Sequence, residues 1–494
     1  MTIVKRNFFS NIIGNSWIAL LNFVSIPIYI KYLGVEAYGL IGFYSVLQAI
    51  FLILDLGFGA TVTRELAKAS EHPPEESSTG TLVKTLEFLY WIIGILIGTI
   101  IFFAAGLIVE KFIKSSLPHS LLLNCVRAMG VMIIFRWPVS FYMGGLIGIQ
   151  RQLEFNILQC VVETIKVLGI ILIFKFVKQD VLYFFLWQIV LSVIFISILH
   201  LLLWKHLNIK NTTLDFSSLK KVWVFSAGVS GITIVSILLS QMDKIVLTRM
   251  LSLQTFSYYM IAYTAASSLS RLSSPIAQAY YPQFIKATAE SNEKVINNLY
   301  HSSTQLMTVL IVPAALIVSF FSFDLLFFWT HSLTTANAAQ GILSVLVLGS
   351  ACNSIVTIPY HIQLAYGWTK LSIYQNLISL IVLIPLLVFL TYEFGAIGAA
   401  YIWLILNLGY IVISQHIMHN RYLISEKSKW YFSDILIPSL SALVVILIGK
   451  YIFGYITSQI GKIAFLLILF LLSSLAAISF TKFSIKSFLF PKVV

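Results

Sequence analysis

The chain is 494 residues long, 59% hydrophobic and only 10% charged, with a formal net charge of +13. A soluble domain carries about a quarter of its residues as charges, so a soluble enzyme or nucleic-acid module is excluded and the chain reads as a polytopic membrane protein. No stretch is polar over enough length to form a sizeable extramembrane domain.

In chain order, Lys5 and Arg6 lead into an apolar run without the short core and small-residue cleavage site of a secretory signal, so 11–31 is predicted to be a retained first span. Apolar runs long enough to cross ~30 Å of hydrocarbon at 1.5 Å per residue follow at 37–60, 86–109, 121–149, 153–175, 181–204, 222–246 and 253–275. Six more lie at 304–328, 341–365, 370–391, 396–418, 434–453 and 462–481, which makes fourteen. Backbone polar groups in lipid must be satisfied within their own segment, so each run is a helix and the fold class is all-α. Cys125, Cys160 and Cys352 fall inside apolar runs with no paired spacing, which suits packing rather than a disulfide or metal framework.

Lys and Arg divide unevenly over alternate connections, twenty on one side and eight on the other. The positive-inside rule makes the richer side cytoplasmic, places both termini there, and accounts for most of the net charge through anionic headgroups, without nucleic acid. Four basic residues are left over: Arg127, Arg136, Lys166 and Lys244. Their acidic counterparts inside or near spans are Asp55, Glu163 and Asp243.

An internal repeat is visible. YLGVEAYGLIGFYS from Tyr32 aligns with MLSLQTFSYYMIAY from Met250 at an offset of 218, at which Lys68 also meets Lys286. Both copies run from the outer face inward, which predicts parallel repeats about an axis along the membrane normal. The domains drawn from this are a first lobe over 1–204, a basic cytoplasmic linker over 205–221, a second lobe over 222–420 and a C-terminal helix pair over 421–494.

KYLGVEAYGLIGFYSVLQAIFLILDLGFGATVTRELA, GLIGIQRQLEFNIL and QMDKIVLTRMLSLQTFSYYMIAYTAASSLSRLSSPIAQAYYPQFIKA resemble the polysaccharide-transport family of Wzx-type O-antigen repeat-unit flippases. That family belongs to the multidrug/oligosaccharidyl-lipid/polysaccharide exporter (MOP) superfamily, with MATE-type drug antiporters and lipid II flippases. The resemblance implies two pseudo-symmetric six-helix lobes around a central cavity that opens alternately to each side. It also implies a C-terminal pair able to provide a groove for a lipid tail, and no enzymatic activity. The implied cargo is an undecaprenyl-diphosphate-linked glycan moved to the periplasmic leaflet of the bacterial inner membrane, with no cofactor beyond coupling to H⁺ or Na⁺. Implied partners are membrane lipids and the polymerase and chain-length proteins of the same pathway.

Such a carrier needs cations placed for a diphosphate, and Arg suits it best because its planar fork bonds two oxygens at once. A cation at mid-depth costs ~2.5–3.5 kcal/mol on insertion scales, so Arg136 demands a reason. Glu163 and Lys166 lie at comparable depth in the fifth span, and their i,i+3 spacing puts them on one face, able to pair with each other or with Arg136. An ion network joining spans four and five is the structural reading of the same three residues. Arg127, nine residues from Arg136, falls half a turn out of alignment and nearer the outer end, where snorkelling competes with a cavity role. Arg151, with Gln150, stands at the inner mouth of span four, where a diphosphate headgroup would first be met.

Asp55 and Arg64, near the cytoplasmic end of span two, and Arg271 at matching depth in span eight are candidates for a gate or for interfacial anchors. Gly57 and Gly59 would let the chain bend or helices approach closely there. Asp243 and Lys244 fall 21 residues into span seven, at its outer boundary, as a snorkelling pair or an outer gate. Asn11, Asn15 and Asn22 read equally as cavity lining and as helix glue. His416 and His419 lack a carboxylate or third ligand beside them in sequence.

Two other function classes compete. A polymerase or glycosyltransferase of the same pathway would be expected to carry a large outer loop, whereas the outer connections here are short. A MATE-type drug antiporter would favour an acidic lobe cavity, whereas charge at mid-depth is net basic.

Overall fold

The computed structural model describes residues 3–55, 57–71, 76–207 and 213–481; linker residues 208–212 and the lysines at 482, 486 and 492 lie outside them. Among the described residues there are only helices and connections, and eleven helices are long and apolar enough to cross a membrane. The predicted spans at 37–60, 222–246 and 253–275 are not among the eleven. The first is interrupted and the last is split, while 222–246 falls within a 32-residue helix whose side chains are described only from 234 onward.

The chain divides into two compact units at Ser257/Tyr258. The first begins with α1 (Ile3–Leu33), α2 (Val35–Phe51), α3 (Phe58–Glu71) and α4 (Glu76–Phe112). It continues with α5 (His119–Arg136), α6 (Val139–Gly148), α7 (Gln152–Phe176), α8 (Val181–Leu207) and α9 (Leu219–Met250), and includes the start of α10 (Leu253–Ser267). The linker drawn at 205–221 precedes this division because α9 packs against α2, α3 and α4.

Backbone chemistry sets the breaks. Span two stops at a 3₁₀ turn over Leu52–Asp55, and Gly57 (φ +67°) takes the left-handed conformation that redirects the chain into α3. Span four breaks where Pro138 removes an N–H and crowds the preceding turn, so α5 ends at Arg136 and α6 starts at Val139. Small residues then let α6 lie close against α3: a Cβ on Gly144 would meet the Gly59 carbonyl at 2.6 Å, and one on Gly148 the Thr63 carbonyl at 2.8 Å. Thr63 Oγ1 donates to the Gly144 carbonyl at 2.9 Å across the same contact.

Asn11 works as glue in this unit. Its Nδ2 donates to Gln152 Oε1 at 3.2 Å and its Oδ1 accepts from Asn156 Nδ2 at 2.6 Å, which holds α1 to α7.

The second unit contains α11 (Ser270–Ala289), α12 (Glu293–Phe320), α13 (Ser322–Thr330), α14 (Leu333–Ala365), α15 (Lys370–Phe394), α16 (Ala396–Gly409) and α17 (Gln415–His419). A short α18 (Lys427–Lys429), α19 (Ile437–Phe453) and α20 (Gln459–Ser479) complete it. The predicted span at 253–275 is split into α10 and α11, echoing the interruption of span two in the other half of the repeat. The C-terminal helices pack on α12 and α13 through Ile317, Phe321, Ile446, Phe453, Leu466 and Leu469. A second apolar cluster joins Val309, Ala442 and Ala477.

Candidate functional site

Arg136, Glu163 and Lys166 meet inside the first unit. Because the helix breaks at Pro138, Arg136 is the last residue of α5, where free carbonyls and the helix dipole favour a cation. Its Nη2 lies 3.8 Å from Glu163 Oε1 on α7, and its Nε donates to Ser192 Oγ on α8 at 3.1 Å. One turn along α7, Lys166 Nζ pairs closely with Glu163 Oε2. The Trp187 indole of α8 donates to the Lys166 carbonyl at 3.3 Å, so three helices fix the group. The side chains of Arg136, Lys166 and Glu163 are 20%, 14% and 11% exposed.

Two cations and one carboxylate leave a surplus positive charge. The pairing is also uneven. Charge-assisted N–H···O bonds run about 2.7–2.9 Å, so Arg136 at 3.8 Å is the loosely held partner and Lys166 the tight one. With Nε on Ser192 and Nη2 at 3.8 Å from Glu163, neither terminal nitrogen of Arg136 makes a hydrogen bond within the group.

The other predicted residues do not join this group. Arg127 is exposed, with its guanidinium 5.5 Å from the Phe102 ring centroid. Arg151 stands at the residue before α7 and pairs with Glu154 at 3.1 Å, while Glu154 also meets His206 of α8 at 2.7 Å. Asp55 and Arg64 have different partners: Asp55 accepts from Tyr90 of α4 and, at 3.0 Å, from Ser140 of α6, while Arg64 lies 3.7 Å from Glu65. Arg271 is exposed at the second residue of α11.

The snorkelling expected of Lys244 is corrected by the structure. Helix α9 continues six residues past it to Met250, and Lys244 is 2% exposed. Its Nζ turns back to the Ser240 carbonyl at 2.9 Å and to Asp243 at 3.2 Å instead of reaching for a headgroup.

Two polar clusters went unpredicted. In the first unit, Glu87 of α4 accepts from the Tyr142 hydroxyl at 2.5 Å and the Trp204 indole at 3.1 Å, and lies 2.8 Å from His200 Nδ1. No Lys or Arg pairs with Glu87 or Asp55 among the described residues. In the second unit, His301 of α12 stands between two carboxylates, Asp434 at 2.5 Å from Nδ1 and Glu426 at 2.9 Å from Nε2. Each ring nitrogen must carry a proton to donate, so the geometry is that of an imidazolium. Gln305 donates to the other Asp434 oxygen at 2.7 Å, and Lys429 pairs with Glu426 at 2.7 Å. Lys462 and Asp324, 3.1 Å apart, add a further ionic tie, from α20 to α13. His416 and His419 bond elsewhere, to Lys427 at 2.7 Å and Tyr300 at 3.1 Å.

Residues 4–288, more than half of the chain, match the model of a family described as polysaccharide biosynthesis protein. A curated Shigella flexneri protein assigned as an O-antigen transporter is 21% identical over 411 residues, covering 82% of this chain and 94% of that one. Among solved structures, the lipid II flippase MurJ in an inward closed conformation superimposes with a TM-score of 0.70 at 16% identity, covering 95% of this chain and 97% of MurJ. An inward-facing MATE-family multidrug resistance transporter of the MOP superfamily gives 0.67 at 13% identity, covering 83% and 96%. The fold is therefore of the MOP transporter type, and these relatives are named as transporters or flippases, not as enzymes.

Proposed function

The chain belongs to the polysaccharide biosynthesis protein family, and on that premise we propose that it is a flippase for undecaprenyl-diphosphate-linked oligosaccharide units. It carries them from the cytoplasmic to the periplasmic leaflet of the bacterial inner membrane by alternating access, with both termini cytoplasmic. The observation that carries this reading is the Arg136–Glu163–Lys166 group, a surplus cation set among apolar helices with its Arg the loosest partner. A diphosphate brings more negative charge than the single carboxylate it displaces from Arg136, and the guanidinium can bond two of its oxygens. Membrane lipids and the polymerase and chain-length proteins of the pathway are its partners in this reading.

Glu87 suits exchange of a coupling proton better than Glu163. Protonating Glu163 would leave two cations facing each other, whereas Glu87 has only hydroxyl, indole and imidazole partners. The alternative of a drug/cation antiporter is disfavoured by the same surplus positive charge.

Deletion of the gene should make an undecaprenyl-linked oligosaccharide accumulate on the cytoplasmic side. Complementation with Arg136→Ala should leave surface polysaccharide absent although the protein reaches the membrane. Full glycan output from a normally expressed Arg136→Ala strain would refute the role given to Arg136.

A further inference from the structure

A second arginine is set up for an anion, in the second unit and outside the charge group described above. Helix α14 ends in a Schellman motif: Gly367 (φ +70°) donates to the Leu364 carbonyl at 2.9 Å and Trp368 N–H to the Gln363 carbonyl at 2.8 Å. That closure fixes where Trp368 sits. Past the end of α17, the backbone N–H groups of Arg421 and Tyr422 both donate to the Met418 carbonyl, at 3.0 and 3.1 Å. The two turns are joined by Tyr366 stacked on Tyr422, centroids 4.1 Å apart and planes 12° from parallel, with Trp368 edge-on to Tyr422 at 5.5 Å.

Arg421 lies in this aromatic frame. Its Cζ is 4.5 Å from the Trp368 ring centroid and 5.3 Å from that of Tyr422. Rings attract a guanidinium through its charge and consume none of its five N–H donors. The side chain is exposed, and among the described residues no carboxylate, carbonyl or hydroxyl accepts from it. The charge of Glu293 reaches Tyr366, but Glu293 makes no ion pair with Arg421. The result is a cation held in place with its hydrogen-bonding edge unused.

Location limits what can fill that edge. The turn carrying Trp368 joins consecutive membrane helices α14 and α15, and the one carrying Arg421 follows the next membrane helix, Ala396–His419. Two connections separated by two crossings share one membrane face, whichever face that is. Helix ends of this kind, with an indole and a phenol, lie at headgroup depth, where the anions are lipid phosphates. We infer that Arg421, framed by Trp368 and Tyr422, is a binding site for the phosphate of a lipid. An anionic phospholipid and the polyprenyl diphosphate of the proposed cargo offer the same chemistry. The site itself does not depend on the transport reading; only the second of these two sources does.

The test is a native mass spectrometry titration of the purified full-length protein with phosphatidylglycerol, with undecaprenyl diphosphate and with inorganic phosphate. Arg421→Gln should weaken the tightest lipid-binding event about tenfold, the scale of one charge-assisted hydrogen bond. Trp368→Leu, which keeps the charge but removes half of the frame, should weaken it about fivefold. Arg64→Gln, an exposed cation beside Glu65, should leave it unchanged. A loss confined to phosphatidylglycerol identifies the site as a lipid anchor, and one confined to undecaprenyl diphosphate as a cargo contact; either upholds it, even where transport is normal. Unchanged binding of both lipids to an Arg421→Gln protein of wild-type heat stability would overturn the inference. Inorganic phosphate competing as well as either lipid would also overturn it.

Discussion

Removing the one anion of the charge group is its most direct test. Glu163→Gln keeps the side chain's size and leaves Arg136 and Lys166 as two like charges against the same packed surface of α7 and α8. Breaking a buried ion pair by removing one partner costs about 3–5 kcal/mol, because the remaining charge stays desolvated. Here the three side chains are 11–20% exposed, so the lower end applies, ~3 kcal/mol or about a hundredfold in the folded population. The measurement is the fraction of full-length protein that stays monodisperse in detergent after graded heating, read beside its abundance in membranes. The double variant Glu163→Gln/Lys166→Met restores the net charge of +1 and should recover much of the loss. A Glu163→Gln protein that heats like wild type, or a double variant that recovers nothing, would refute the like-charge reasoning.

In the second unit, Asp434→Asn removes one of the two carboxylates flanking His301 and should lower heat stability by ~3 kcal/mol. Arg151→Gln, whose partner Glu154 is part-exposed, should move it by less than ~1 kcal/mol in the same assay. Equal shifts for the two variants would count against the buried clasp. Glu87→Gln should abolish the response of transport in proteoliposomes to an imposed proton gradient while cargo binding persists. Wild-type transport that ignores both proton and sodium gradients would sink the coupling proposal.

What could be read from the sequence was whatever a helix makes local. A charge inside an apolar run stands out, so Arg136, Glu163 and Lys166 were found. Their depth and the i,i+3 spacing then sufficed to bring them together. The breaks at Gly57 and Pro138 were not drawn: Gly57 stood only as a place where the chain could bend, and spans two and four were carried through both residues because the apolar composition does not change there. Ser192 was invisible, being one serine among many until α8 packs beside α5. Glu87 was missed because its partners Tyr142, His200 and Trp204 lie 55 to 117 residues away and look individually like interfacial aromatics. Lys244 misled because its apolar run fades before its helix does, so an apparent helix end is the interior of α9. The His301 clasp required knowing that the segment after α17 folds back on α12, which no spacing within either segment reveals.

The first unit thus holds two acidic positions with opposite electrostatics, buried Glu163 and part-buried Glu87, and the contrast bears on how a carrier releases what it binds. A site that bonded a diphosphate with two unopposed cations would hold it too firmly for turnover. Under the proposed function, Glu163 would supply an internal competitor: it pairs closely with Lys166 and lies 3.8 Å from Arg136, near enough to reclaim it once a diphosphate left. In that proposal the asymmetry between the two contacts matters more than the total charge, because only the looser cation would have to change partners in each cycle. On this reasoning Arg136→Lys should be a poor substitute despite its preserved charge: an ammonium cannot keep a bond to Ser192 and offer a fork to phosphate at once.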